Sequence, residues 1–125
     1  MKLLLDTHVL LWWLDDNPML TEAVRTAVGE RHATVFVSAA TVWEIAIKQA
    51  IGKLETPGDL EAAIAASRFE PLPITFSHAV AAGKLPRHHD DPFDRMLIAQ
   101  SQIERLTLVT HDKRLGAYGT SILWA

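Results

Sequence analysis

Short apolar runs alternate along this chain with longer segments of helical period. Residues 2–6 (KLLLD) hold three successive leucines, the pattern of a strand buried on both faces. Residues 8–14 read as a short helix, and Pro18 and Thr21 punctuate the chain before a second helix at about 22–30. Residues 34–37 (TVFV) are β-branched and aromatic, as a second strand should be. Residues 39–51 are apolar around most of a helical circumference, which predicts a helix packed on both sides and ended by Gly52. The pattern continues with a helix at about 58–67, a short strand at 72–74 and a helix at about 77–84. Pro92 opens a helix running to about 104, followed by strands at 107–109 and 121–123. Strands separated by helices need crossover connections. The expected fold is therefore α/β, with a mostly parallel sheet of four to five strands flanked by helices in three layers.

Composition narrows the class. With 125 residues and no repeat, low-complexity tract or linker, residues 1–125 are expected to form a single domain around one core. Apolar residues make up 49% and charged residues 22%, a balance that excludes a disordered chain. There is no cysteine, so disulfides and thiolate metal sites are excluded, and a reducing cytoplasm is the expected compartment. Asp6 breaks the first apolar run too early for a secretory signal, and no stretch is long enough to span a membrane.

The formal charge of −3 bears on partners, because proteins that bind nucleic acid through bulk electrostatics are usually basic. A nucleic-acid substrate would have to be met by a local patch or by metal ions. Lys48, Lys53, Lys84, Arg87, Arg95, Lys113 and Arg114 are the candidate cations, most of them readable as plain surface charges. Of these, Lys48 and Arg95 are expected to contact the substrate.

In open parallel sheets, ligands bind beyond the carboxyl ends of the strands. Four acids fall there or one helical turn further: Asp6 after the first strand, Glu44 early in the helix after the second, Asp94 opening the helix before the fourth, and Asp112 after the fourth. Each has a structural alternative. Asp6 and Asp112 suit caps, Thr41 with Glu44 fits a capping box, Glu44 with Lys48 is an i,i+4 pair, and Asp94 suits the first turn of a helix opened by Pro92. Capping explains each acid singly but not the gathering of all four at one sheet edge, where like charges repel. A bound divalent cation reverses that penalty. Carboxylate oxygens suit Mg²⁺ or Mn²⁺, and such a site supports hydrolysis of a phosphodiester.

The run His88-His89-Asp90-Asp91 invites a zinc reading, yet adjacent residues rarely point at one ion and the i,i+4 spacing of familiar zinc sites is missing. His8 and His111 flank proposed ligands and read as outer-sphere or exposed groups. Trp12, Trp13 and Trp43 have the chemistry to stack on bases, but their helical spacing among aliphatics favours core or dimer-interface roles.

Leu5-Asp6-Thr7, Ser38-x-x-Thr41-x-x-Glu44, Asp91-Pro92-Phe93-Asp94-Arg95 with Leu97-Ile98-Ala99 behind it, and Val109-Thr110-His111-Asp112 occur in an order that resembles PIN domains. The resemblance is to the VapC-like toxins of toxin–antitoxin pairs in particular. It spans the chain and implies a PIN-like fold, a homodimer, a Mg²⁺- or Mn²⁺-dependent endoribonuclease acting on RNA, and a cognate VapB-like antitoxin. It also implies that Asp6 and Asp94 hold the metal most directly, that Glu44 and Asp112 complete the acidic pocket, and that Thr7 and Thr110 orient carboxylates. His111 departs from the pattern, since many relatives carry a smaller or amide residue there. A PIN nuclease for RNA processing or DNA, and a catalytically silent dimer serving as an interaction module, are the competing readings.

Overall fold

In the computed structural model, which describes residues 1–55 and 58–125, five strands form one sheet in the order β3-β2-β1-β4-β5, every neighbouring pair parallel. The elements follow the chain as β1 (Lys2–Leu5), α1 (Thr7–Leu14), α2 (Glu22–Gly29), β2 (Thr34–Ser38), α3 (Ala39–Ala50), α4 (Leu60–Ala66), β3 (Glu70–Leu72), α5 (Phe76–Lys84), α6 (Pro92–Glu104), β4 (Thr107–Thr110), a 3-10 helix (Lys113–Tyr118) and β5 (Ile122–Trp124).

The central position of β1 follows from its leucines. Side chains alternate across a strand, so Leu3 and Leu5 enter one apolar layer with Val9, Leu10 and Ile45, while Leu4 enters the opposite layer with Leu97, Ile98 and Leu108. All three leucines are fully buried, each burial contributing about 2 kcal/mol.

The third strand departs from expectation. It covers Glu70–Leu72 rather than residues 72–74, with Val37 opposite Pro71. Pro71 and Pro73 obscure the strand pattern because proline donates no ladder hydrogen bond, and they are tolerated here because β3 is at the sheet edge. Elsewhere the element bounds differ from the sequence expectation by a residue or two, as with α4, whose cap is Asp59.

The helix after β2 is capped by Ser38, whose hydroxyl accepts from Ala40 N–H at 3.0 Å, so the expected pairing of Thr41 with Glu44 as a capping box is not formed. At α5, Thr75 and His78 form such a box instead: His78 Nδ1 accepts from Thr75 N–H, and the buried ring reaches Glu104 on α6 through Nε2 at 2.9 Å. Among the described residues, no helix is long and apolar enough to cross a membrane.

Candidate metal centre

Parallel pairing sends the ends of β1 and β4 to the same edge of the sheet, and Asp6 N–H donates to Val109 O there. Asp6 is both a cap and a site residue. One carboxylate oxygen, Oδ1, accepts Val9 N–H at 2.9 Å and starts α1, while Oδ2 accepts the Thr110 hydroxyl in a short buried hydrogen bond. That hydroxyl also accepts Asp112 N–H at 3.1 Å, so Thr110 ties the first and fourth acids together.

Glu44 lies on α3, and the connection from α1 reaches it: Thr7 donates to Glu44 Oε1 at 2.6 Å, and Lys48 donates to Oε2 at 2.8 Å. Both Glu44 oxygens therefore have partners. Thr41, one turn earlier on the same helix face, is buried with a hydroxyl that finds no partner among the described protein atoms. A buried polar group without a partner in a polar site is what a bound water or ligand completes.

Asp94 is not the cap of its helix. Asp91 caps α6, accepting from Phe93 and Asp94 N–H, which leaves the Asp94 carboxylate free to face the sheet edge. There its Oδ2 meets His89 Nε2 at 2.8 Å. Asp112 caps the 3-10 helix and is held by Arg114, whose Nη2 lies 2.7 Å from Asp112 Oδ2.

The electrostatics separate these acids. Burial pushes the Asp6 carboxyl above its ordinary range against the hydrogen bonds from Thr110 and Val9, and Asp112 adds to the upward push. Asp94 is raised to about 6, again mainly by burial, with the His89 hydrogen bond opposing and Asp91 and Asp6 adding repulsion. Asp112 is lowered by its hydrogen bond to Arg114. One buried acid, Asp6, and one half-buried acid, Asp94, carry an unfavourable charge that a cation would relieve, and the donors around them are mostly hard oxygens. The residues fit a small divalent ion such as Mg²⁺ or Mn²⁺.

The remaining candidates are elsewhere. The guanidinium of Arg95, expected at the substrate, is instead enclosed by backbone carbonyls: Nη2 donates to Ala82 and Leu85 O at 2.9 Å each, and Nη1 to Pro86 O at 2.9 Å and His89 O at 3.3 Å. Its planar fork serves the loop between α5 and α6. His111 turns away from the acids, with Nδ1 2.8 Å from Ala125 O and its ring against Trp12. His8 is exposed and also lies near Trp12. Trp12 and Trp13 pack against the core cluster, Trp13 on Phe69, whereas Trp43 is 62% exposed beside an apolar groove of 570 Å³.

Sequence reasoning missed the part played by His89. His88 and His89 indeed diverge, as adjacent residues should: His88 stacks edge-on against Tyr118, while the side chain of His89, 8% exposed, turns into the acids. The only sequence signal was its position just before the Asp91-Pro92 helix start, which brings the ring back over the first turn of α6. Arg114 as the partner of Asp112 was likewise not foreseen.

The architecture has counterparts among solved structures. VapBC2 from Rickettsia felis, solved bound to a DNA fragment from its promoter, contains a chain that matches with a TM-score of 0.75 at 15% identity, covering 100% of this chain and 99% of that one. DNA-bound VapBC from Salmonella typhimurium matches with a TM-score of 0.72 at 20% identity over 99% and 98% of the two chains. A toxin–antitoxin complex from Klebsiella pneumoniae gives 0.67 at 18% identity over 96% and 94%. Identities this low establish a shared fold alone. No curated protein sequence matches the chain. The sequence model of the PIN domain, however, matches residues 3–120, nearly the whole chain and all four acids, and the protein belongs to the PIN domain family.

Proposed function

We propose that this protein is a divalent-metal-dependent endoribonuclease acting as the toxin of a toxin–antitoxin pair. The observation that carries the reading is the gathering of Asp94, Asp112 and His89 at the carboxyl edge of a PIN-family sheet, with Asp6 linked to Asp112 through Thr110 and Glu44 bonded to Thr7, the neighbour of Asp6. Asp6 and Asp94 would hold the ion, with Glu44 and Asp112 completing the pocket. When bound, Mg²⁺ or Mn²⁺ supplies the positive charge that offsets the developing charge of a phosphodiester under in-line attack and favours ionisation of the attacking water. Thr110 keeps Asp6 Oδ2 aimed into the pocket, and Thr7 does the same for Glu44. Lys48, paired with Glu44 and 40% exposed, is proposed to meet the RNA backbone.

Such an enzyme needs restraint inside its own cell. The solved structures that share its fold include complexes of toxin with antitoxin, which supports a VapB-like partner for this chain. A partner's Arg or Lys would pair with the acids, and a groove of 330 Å³ lined by Leu11, Trp12, Leu14 and Leu60 would take an apolar anchor.

The test is to express the chain alone and with its neighbouring gene. Growth arrest relieved by the neighbour, together with RNA cleavage that chelator abolishes and Mg²⁺ or Mn²⁺ restores, is the expected result. Undiminished cleavage in excess chelator would remove the metal mechanism. Cleavage in vitro with harmless expression would instead favour a nuclease of RNA processing.

The chain is also proposed to form a homodimer. Phe76 and Val80 lie one turn apart on α5 and are 93% and 57% exposed, and Trp43 on α3 is exposed as well. Apolar groups of this size standing free in a small protein mark a contact surface. Light scattering is expected to give about twice the 13.9 kDa chain mass, and the chain mass alone at micromolar concentration would count against the dimer.

A further inference from the structure

The acidic edge contains one nitrogen donor for which an all-carboxylate metal site has no use. His89 Nε2 lies 2.8 Å from Asp94 Oδ2 and 3.7 Å from Asp112 Oδ2, and one donor atom from each of the three residues lies within 4.8 Å of the others. A hydrogen bond that steadied Asp94 would need only the first of these distances. The approach to Asp112, which comes from a different segment after β4, makes His89 the point where the two acids converge. Donor atoms that share one ion at about 2.1 Å stand roughly 3–4 Å apart, a range that the 3.7 Å from His89 to Asp112 meets and that the 2.8 Å to Asp94 approaches from below.

The ring is also held as a ligand should be. Its side chain is more than nine-tenths buried. The His89 carbonyl accepts from both Arg95 Nη1 and the Tyr118 hydroxyl, so α6 and the 3-10 helix fix the residue from two sides. A side chain carried on such a tied loop keeps its direction without the help of an ion.

Building on the reading of this edge as a metal site held by Asp6 and Asp94, we propose that His89 Nε2 is a further ligand of the same ion on the side where Asp94 and Asp112 converge, making a mixed nitrogen and oxygen site that prefers Mn²⁺ to Mg²⁺. The preference follows from ligand chemistry. Mg²⁺ is a hard cation that favours an all-oxygen shell and releases water reluctantly, whereas Mn²⁺ accepts an imidazole nitrogen more readily. Replacing one oxygen position by His89 thus weakens the site for Mg²⁺ relative to Mn²⁺.

Two measurements on the purified full chain test this without any RNA. Pulsed electron paramagnetic resonance of the bound Mn²⁺ is expected to show the ¹⁴N coupling of a directly attached imidazole, which His89→Ala removes. Calorimetry with Mn²⁺ and Mg²⁺ is expected to show the ratio of the two affinities falling by about 10-fold or more in His89→Ala, with most of the loss on Mn²⁺. The wild-type spectrum decides the ligand question even where the variant folds poorly, and His89→Asn provides a second variant that retains polarity. Bound Mn²⁺ without nitrogen coupling, coupling that persists in His89→Ala, or an unchanged affinity ratio would each overturn the proposal while leaving a metal site intact. Failure of the wild type to bind either ion would overturn the metal reading as well, and calorimetry separates that outcome from the others.

Discussion

Asp94→Asn is expected to abolish RNA cleavage, by about 100-fold or more, while the metal-free protein melts a few degrees higher. The variant keeps the shape of the side chain and removes a charge that burial disfavours. No cap is lost, because Asp91 rather than Asp94 caps α6. The pH dependence gives the sign. Asp94 titrates at about 6 in the folded protein, above the ordinary carboxyl range, so the native state holds a proton that the unfolded chain releases. That contribution to stability is full below about pH 4 and lost as pH rises through about 6. Wild type without metal should therefore lose stability across this window, and Asp94→Asn should lose less, keeping the dependence due to Asp6, whose carboxyl is also raised, and the opposite one due to Asp112, whose carboxyl is lowered. Metal binding runs the other way, since the ion needs the ionised carboxylate: stabilisation by Mn²⁺ should grow from pH 5 to pH 7 in wild type and be lost in the variant. Melting curves with and without Mn²⁺ at four or so pH values read both trends. Strong destabilisation of metal-free Asp94→Asn would show the acid to be structural instead. Asp6→Asn should behave similarly, as asparagine caps a helix about as well as aspartate and can still accept from Val9 N–H.

What the sequence revealed and what it hid divide by range along the chain. The start of α6 was legible because its signals are local: Asp91 caps, Pro92 opens the first turn, and the helical period continues to Glu104. The burial of β1 was legible because three leucines in a row leave a strand no solvent face. The convergence of Asp6 and Asp112 was legible because a parallel sheet gathers the residues at its strand ends along one edge, a rule of topology rather than of residue identity. The shift of β3 was hidden because its prolines obscure the strand pattern, and an edge position is known only once the sheet order is known. His89 was hidden more deeply. Its direction is set by carbonyl contacts to Arg95 and Tyr118, residues 6 and 29 positions later in the chain, and no periodicity encodes such contacts. Capping does not exclude the proposed metal role of Asp6, since a carboxylate has two oxygens and the cap uses one, the other accepting the Thr110 hydroxyl.

Arg95→Ala is expected to cost about 2–4 kcal/mol of stability and to remove metal binding with it. The guanidinium donates to four carbonyls, those of Ala82, Leu85, Pro86 and His89, which belong to the end of α5 and the loop leading to α6. These bonds involve a charged donor at a half-buried position, and their loss strips it from four carbonyls, of which Pro86 O keeps the His88 N–H and His89 O keeps the Tyr118 hydroxyl. Lysine should rescue little, because a single ammonium cannot reproduce a planar fork aimed at several acceptors. The loop released by the substitution is the one that carries His89, so the ring should lose its fixed approach to Asp94 and Asp112 and Mn²⁺ affinity should fall in parallel with the melting temperature. A residue that only gripped the RNA backbone would behave oppositely: its alanine variant would keep its melting temperature and its Mn²⁺ affinity, and would show a raised KM that depends on salt. Thermal melting, Mn²⁺ titration and cleavage kinetics on Arg95→Ala and Arg95→Lys therefore separate a cation that builds the site from a cation that meets the substrate. An Arg95→Ala protein with unaltered melting and unaltered metal affinity would sink the structural role.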